Sequence, residues 1–138
     1  MNDNEEVIIN KNKRGYIMKV IKWISICILV FIILGISFKF IQGQVAYKKI
    51  DEIVQEKGWK DNVEDSKKHY SFKFNRFSKT IKFSDEPKYV YEFSVLENPS
   101  VSEIFDSSSY KPDIIGDAFE GNNVILDTKK AKHTIKKN

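Results

Sequence analysis

The sequence predicts an α+β protein: a single N-terminal transmembrane helix, then an amphipathic helix packed on a small antiparallel β-sheet of three to five strands. Three patterns carry this expectation. Residues 20–41 are apolar on every face of a helix, residues 45–57 are apolar on one face only, and residues 70–95 alternate with a period of two. A helix apolar all round needs lipid or a large protein around it, whereas a one-sided helix and one-sided strands can cover each other.

Met1 to Gly15 is polar and charged, and residues 1–19 read as a disordered cytoplasmic tail. The span follows at residues 20–41. Between Lys22 and Lys39 lie sixteen residues without a formal charge. A hydrocarbon core of ~30 Å takes roughly 20 residues of helix. The two lysines close the gap by laying their methylene stems along the helix and lifting their ammonium groups to the headgroups, and Trp23 suits an interface. A cleaved signal peptide would need a small-x-small site, and Gly43-Gln44-Val45 and Gln44-Val45-Ala46 are poor ones. A lipoprotein signal would need a cysteine ending the run, but Cys27 follows Ile26 near its start. A soluble core helix would need more protein than remains. The expectation is an uncleaved signal-anchor. Lys11, Lys13, Arg14, Lys19 and Lys22 precede the span, against Lys39, Lys48, Lys49 and Lys57 after it. That balance favours an N-terminus in the cytoplasm and a C-terminal domain outside the cell membrane.

Gln42-Gly43-Gln44 forms a brief polar break, across which the next helix either starts afresh or continues directly from the span with Gly43 as a soft point, and opens the extracytoplasmic domain, residues 42–128. Val45, Ala46, Ile50, Ile53 and Val54 then recur at helical spacing, and Gly58 suits the position past a helix end. Trp59 either anchors that end or starts a short strand. Asp61 to Lys68 is polar and loop-like. Tyr70, Phe72 and Phe74, then Phe77, Lys79, Ile81 and Phe83, then Tyr89, Tyr91, Phe93 and Val95 alternate with polar neighbours, which predicts a meander with one aromatic face for the helix to cover. Asn75-Arg76 and Ser84 to Pro87 are its turns. Ser100 and Glu103 have capping-box spacing for a short helix, although a strand through 101–105 is also compatible. Asp117 to Glu120 and Val124 to Asp127, around Gly121-Asn122-Asn123, suggest a last hairpin. Lys129 to Asn138 reads as a basic, disordered tail.

Net charge is +4, but residues 42–128 hold twelve basic and sixteen acidic side chains, so the excess sits at the two ends. A nucleic-acid binder places its excess on the folded face, and no nucleic-acid partner is expected. The aromatic-basic stretch YSFKFNRF lacks the glycines of an RNA-stacking strand and reads as core. The single cysteine, Cys27, lies in the span, which excludes disulfides and external thiol chemistry.

Catalytic machinery is thin. His69 at a strand and His133 in the tail have no companion spaced to share a metal. Asp85 and Glu86 are the nearest pair of carboxylates, and with Glu92 they are the set a carboxylate enzyme would use. They sit in a turn before Pro87, where water would keep their pKa values together. No catalytic, cofactor-binding or metal residue is therefore assigned, no cofactor is expected, and the protein is read as not an enzyme.

The YKKIDEIVQEKGW helix behind a membrane anchor, the KFSDEP turn and KYVYEFSV together resemble the small membrane-anchored Gram-positive proteins grouped as domain of unknown function 3139. Gly58-Trp59, Phe83 to Pro87 and Tyr89-Val90-Tyr91 carry the likeness, which covers Ile24 to Val95. The resemblance implies architecture and location and carries over no catalytic residue. The functional expectation is a membrane-anchored, non-enzymatic binding or envelope-interaction protein, with an immunity-type or inhibitory protein as its specific variant. Its partners are the bilayer through residues 20–41 and an unknown envelope protein, met through a sheet edge or the loop at 106–118. The alternatives are a small envelope enzyme using carboxylates and a structural or signalling membrane subunit.

Overall fold

The computed structural model describes residues 3–125 and 130–136, with side chains from Lys13 onward. The chain divides into two compact units, Met1–Lys39 and Phe40–Asn138. One helix, α1 (Asp3–Glu56), runs through both, so of the two readings at 42–44 the direct continuation from the apolar run holds. It also replaces most of the expected disordered tail. Nothing before Gly15 breaks a helix, since residues 3–14 hold neither proline nor glycine. In the first unit the helix is long and apolar enough to cross a membrane, and its most apolar 18-residue window is 0% buried. That is compatible with a single-pass anchor.

The second unit is α+β, as predicted. After the 3-10 turn Lys60–Asn62 come β1 (Val63–Ser71), β2 (Arg76–Phe83), β3 (Val90–Val95), α2 (Val101–Phe105), β4 (Ile114–Glu120) and β5 (Asn123–Ile125). They form one five-stranded sheet in the order β1-β2-β3-β4-β5, antiparallel at every pair. Ala46, Tyr47, Ile50 and Val54 of α1 pack over Phe77, Ile81, Phe83, Tyr91, Phe93 and Val95. Tyr47 meets the Phe77 ring edge-on at 5.6 Å, and its hydroxyl donates to the His69 carbonyl at 2.9 Å. Burial moves the Tyr47 pKa upward, so the phenol stays a donor.

α1 stops where Gly58 takes φ +72, a conformation that side chains rarely tolerate. The Trp59 amide then donates to the Val54 carbonyl at 3.0 Å and the Gly58 amide to the Gln55 carbonyl at 2.9 Å, which closes the helix end. Trp59 turns into the core against Phe83 and Phe93, so the anchoring alternative holds.

Strands β2 and β3 fall where period-two alternation put them. β1 does not: it begins at Val63, inside the stretch expected to be a loop. Its inward positions beside β2 are Ser66, Lys68 and Tyr70, and two polar residues in three erase the alternation. Phe72 and Phe74, expected in the aromatic face, are exposed in the turn between β1 and β2, where Asn75 takes φ 50. α2 is a helix with the complete capping box, Ser100 N–H donating to Glu103 Oε2 at 2.8 Å. The last hairpin forms as β4 and β5, while Leu126 and Asp127 lie outside the described residues.

The C-terminal stretch also departs from expectation. Of the segment read as a disordered basic tail, residues 130–136 are described, and they fold back onto the sheet. The Ile135 and Gly116 amides and carbonyls exchange hydrogen bonds at 2.9 Å, and Ala131 and His133 are buried. Ala131, His133 and Ile135 face inward, while Lys132 between them and Lys130 and Lys136 at the ends stay at the surface.

Candidate functional site

Two imidazole–carboxylate groups and one groove are the places where chemistry could be sought. The first group gathers the turn after β2, β3 and the C-terminal stretch. His133 is 3% exposed and lies between aromatic rings: stacked on Phe83 at 4.0 Å, and edge-on to Trp59 at 4.9 Å and Tyr91 at 5.4 Å. Its Nε2 lies 3.0 and 3.1 Å from the two oxygens of Asp85 and 3.7 Å from Glu86. Ionised carboxylates only accept hydrogen bonds, so Nε2 carries the proton. The Glu86 carboxylate accepts from the Tyr91 hydroxyl and from the Lys132 amide. Burial, then the Glu86 carboxylate, pushes the Tyr91 pKa well above the usual phenol range, which keeps its hydroxyl protonated as the donor.

Asp85 and Glu86 were expected in a water-exposed turn. Asp85 is exposed as expected, whereas the C-terminal stretch covers Glu86 and leaves its side chain 9% exposed. Even so, a nucleophile–base pair is lacking. The ring atom that would face a nucleophile, Nδ1, is buried and has no hydrogen-bond partner. The polar contacts of His133 and Lys132 instead tie the C-terminal stretch to Asp85 and Glu86, and Tyr91 ties Glu86 to β3, which makes the cluster a latch. Sequence reasoning missed His133 as a core residue. The available signal was the alternation of Ala131, His133 and Ile135 with Lys130, Lys132, Thr134 and Lys136, masked by the density of lysines.

The second group lies on the sheet face that α1 leaves uncovered. Register places Lys67, Thr80, Glu92 and Asp117 in one row across the strands, and His69, Ser78, Ser94 and Ile115 in the next. His69 Nε2 meets Glu92 Oε1 at 3.1 Å, and its Nδ1 meets the Thr80 hydroxyl at 3.4 Å. Ser78 and Ser94 share a hydrogen bond of 2.7 Å. A hydroxyl, an imidazole and a carboxylate in series have the order of a hydrolytic relay. The chemistry does not follow from the order. His69 and Glu92 are 40% and 39% exposed, and the ladder to β1 and β3 already engages the amides around Thr80, so none is aimed at a developing oxyanion. The row is a set of cross-strand hydrogen bonds on a wet face.

The groove, about 450 Å³, opens between α1 and β1, because Ser66 is too short to reach the helix. Lys79 and Asp51 line it and form an ion pair with each other. The ammonium is nearly buried and the carboxylate half exposed. Among the described residues, no three His, Cys, Asp or Glu side chains are grouped to hold a metal ion.

Residues 16–93 match the family described as "Protein of unknown function (DUF3139)". No curated protein and no solved structure matches the chain. The matched stretch runs from α1 into β3. It includes Trp59, Asp85, Glu86 and Tyr91 of the latch and stops short of His133. Extending over more than half of the 138 residues, it shows that the chain belongs to the DUF3139 family.

Proposed function

We propose that the protein is a single-pass, membrane-anchored, non-enzymatic binding module of a Gram-positive cell envelope, with its N-terminus in the cytoplasm and the folded unit outside. The observation that carries the binding reading is the edge of the sheet. β1 is nine residues long and forms the edge of the sheet: among the described residues no further strand lies beside it. An edge strand of this kind can accept a partner strand along its backbone, and the adjoining groove can take a side chain of that partner. Glu64, Asp65, Lys67 and Lys68 on β1 discourage indiscriminate pairing, and the register shift between Val63 and Asp65 disturbs its start. The stretch 106–118 is a poorer contact, since Tyr110 is buried with its hydroxyl bonded to the Glu97 carbonyl and β4 begins at Ile114.

The imidazole–carboxylate groups support a non-enzymatic reading because their polar atoms hold the fold together. The anchor reading rests on bare Ile, Leu, Val and Phe on every face of a helix with nothing folded over it. Photo-reactive residues placed at Glu64 and Lys67 in intact cells test the proposal. One discrete cross-linked partner at these sites, absent when the probe sits at Asn122 in the β4–β5 turn, is the expected result. Turnover that disappears with Asp85→Asn or Glu92→Gln in a protein that stays folded would refute it in favour of an enzyme.

A further inference from the structure

The exposed apolar residues of the folded unit are not scattered. Among the described residues from Phe40 onward, seven large apolar side chains are exposed: Phe40, Ile41, Phe72, Phe74, Val101, Phe105 and Val124. Single exposed apolar residues are ordinary, but a concentration of them marks a contact surface. All but Val124 belong to one end of the unit, where the chain comes in from residues 20–41.

Hydrogen bonds and packing fix that end. Gln42 is buried, and its Nε2 donates to the Pro99 carbonyl at 2.7 Å, just before the cap of α2. A Cβ on Gly43 would stand 2.8 Å from the Phe77 ring, so the helix backbone lies close against the start of β2. Asn98 donates to the Asn75 carbonyl at 2.6 Å, tying the loop before α2 to the β1–β2 turn. Phe72 packs edge-on against Tyr70 at 4.9 Å and is still 88% exposed. Phe105, on α2, is 87% exposed. Trp59, the Ser84–Pro87 turn and His133 lie at the opposite end, beyond Val54 and Phe83.

We propose that this end is a second, interfacial lipid contact, in which Phe72 and Phe74 of the β1–β2 turn and Val101 and Phe105 of α2 insert at the headgroup boundary of the bilayer. The proposal rests on the reading of residues 20–41 as a membrane span. Chain continuity chooses the occupant: Phe40 and Ile41 end the apolar run, and Gln42 is already bonded into the loop that carries α2. Apolar side chains of a helix or loop held at that level partition into the acyl boundary. Around the four inserted side chains charge is balanced, with Lys73 in the β1–β2 turn and Arg76 at the start of β2 against Glu103 on α2 and Asp106 just after it. Apolar insertion rather than attraction to anionic lipid therefore holds the contact, and it forms on phosphatidylcholine alone. The consequence is a folded unit pinned to the surface, with the latch and β4–β5 turn pointing away from it.

The test uses the full chain in phosphatidylcholine vesicles with nitroxide-labelled lipids. A fluorophore is attached to native Cys27 or, in a Cys27→Ser background, to Lys73→Cys, Ser102→Cys or Asn122→Cys. The expected result is strong quenching by shallow nitroxides at 73 and 102, little at 122, and quenching by deep nitroxides at 27. Replacing Phe72, Phe74 and Phe105 with serine lowers the signals at 73 and 102 to that at 122 and leaves 27 unchanged, with the near-ultraviolet dichroism of the fold retained. Signals at 73 and 102 no greater than at 122, with 27 still deep, overturn the docking and leave the anchor standing. So does full quenching in the serine variant. Quenching at 27 no greater than at 122 overturns the anchor and the docking together.

Discussion

Replacing His133 with alanine should detach the C-terminal stretch and lower the stability of the whole folded unit. The substitution removes the Nε2 hydrogen bond to Asp85 and the contacts with Phe83, Trp59 and Tyr91. A hydrogen bond to a charged group contributes ~1.5–3 kcal/mol, and the half-open position of Asp85 argues for the lower end. The aromatic contacts add ~0.5–1.5 kcal/mol. A total of ~2–3 kcal/mol corresponds to a fall in Tm of roughly 8–24 °C for a unit of about 100 residues. The loss starts locally, because Glu86 keeps its bond from Tyr91. The assay is thermal unfolding of the full chain in lipid nanodiscs, together with amide exchange at Gly116 and Ile135, whose mutual hydrogen bonds close only when the stretch is docked. His133→Phe separates the two contributions by keeping ring packing while leaving Asp85 without its donor. A Tm within ~2 °C of the parent, or unchanged protection at Ile135 in His133→Ala, would refute the latch.

Other substitutions follow from the same packing. Lys79→Met should be neutral within ~1 kcal/mol, because an apolar chain of similar volume replaces a nearly buried cation, whereas Asp51→Ala leaves that cation without its partner and should cost more; denaturant titration ranks the two. Gly116→Ala should cost ~1–3 kcal/mol by overpacking, since the new methyl would meet the Phe93 ring at 2.5 Å and Phe93 is fully buried; a lower denaturant midpoint is the readout. Acid should unwind α2 first. The Ser100 hydroxyl and amide hold the Glu103 carboxyl below its ordinary 4.5, so its contribution is complete above that value and disappears as pH falls through the depressed one. Protection of the Ile104 amide, which bonds the Ser100 carbonyl at 3.0 Å, should fall over that window in the parent and be low and flat in Glu103→Gln.

Local patterns were legible wherever one physical cause acted alone. β2 and β3 lie in the middle of the sheet under α1, so alternation was imposed on every residue and survived in the sequence. The α2 cap and the Gly58 stop are set by residues within a few positions of each other. The edge strand β1 was harder to see because α1 does not cover its start, and Ser66 and Lys68 at its inward positions carry no apolar mark. Phe72 and Phe74 continue the alternation of Tyr70 past the point where the strand ends, so period two overstated the core. His133 depended on a long-range contact: it is buried only because the chain returns to Asp85 across 48 positions. Composition had marked those lysines as solvated, and they are, while the side chains between them are not. The same return covers the Glu86 side chain, whose burial no pattern within the turn reveals.

Cysteine accessibility in intact cells tests the anchor and its orientation most directly. In a Cys27→Ser background, Asn122→Cys should react with a membrane-impermeant maleimide before lysis, and Lys13→Cys only after it. Protection of Asn122→Cys with labelling of Lys13→Cys would contradict the orientation, and release of the chain from membranes by alkaline extraction would contradict the span itself.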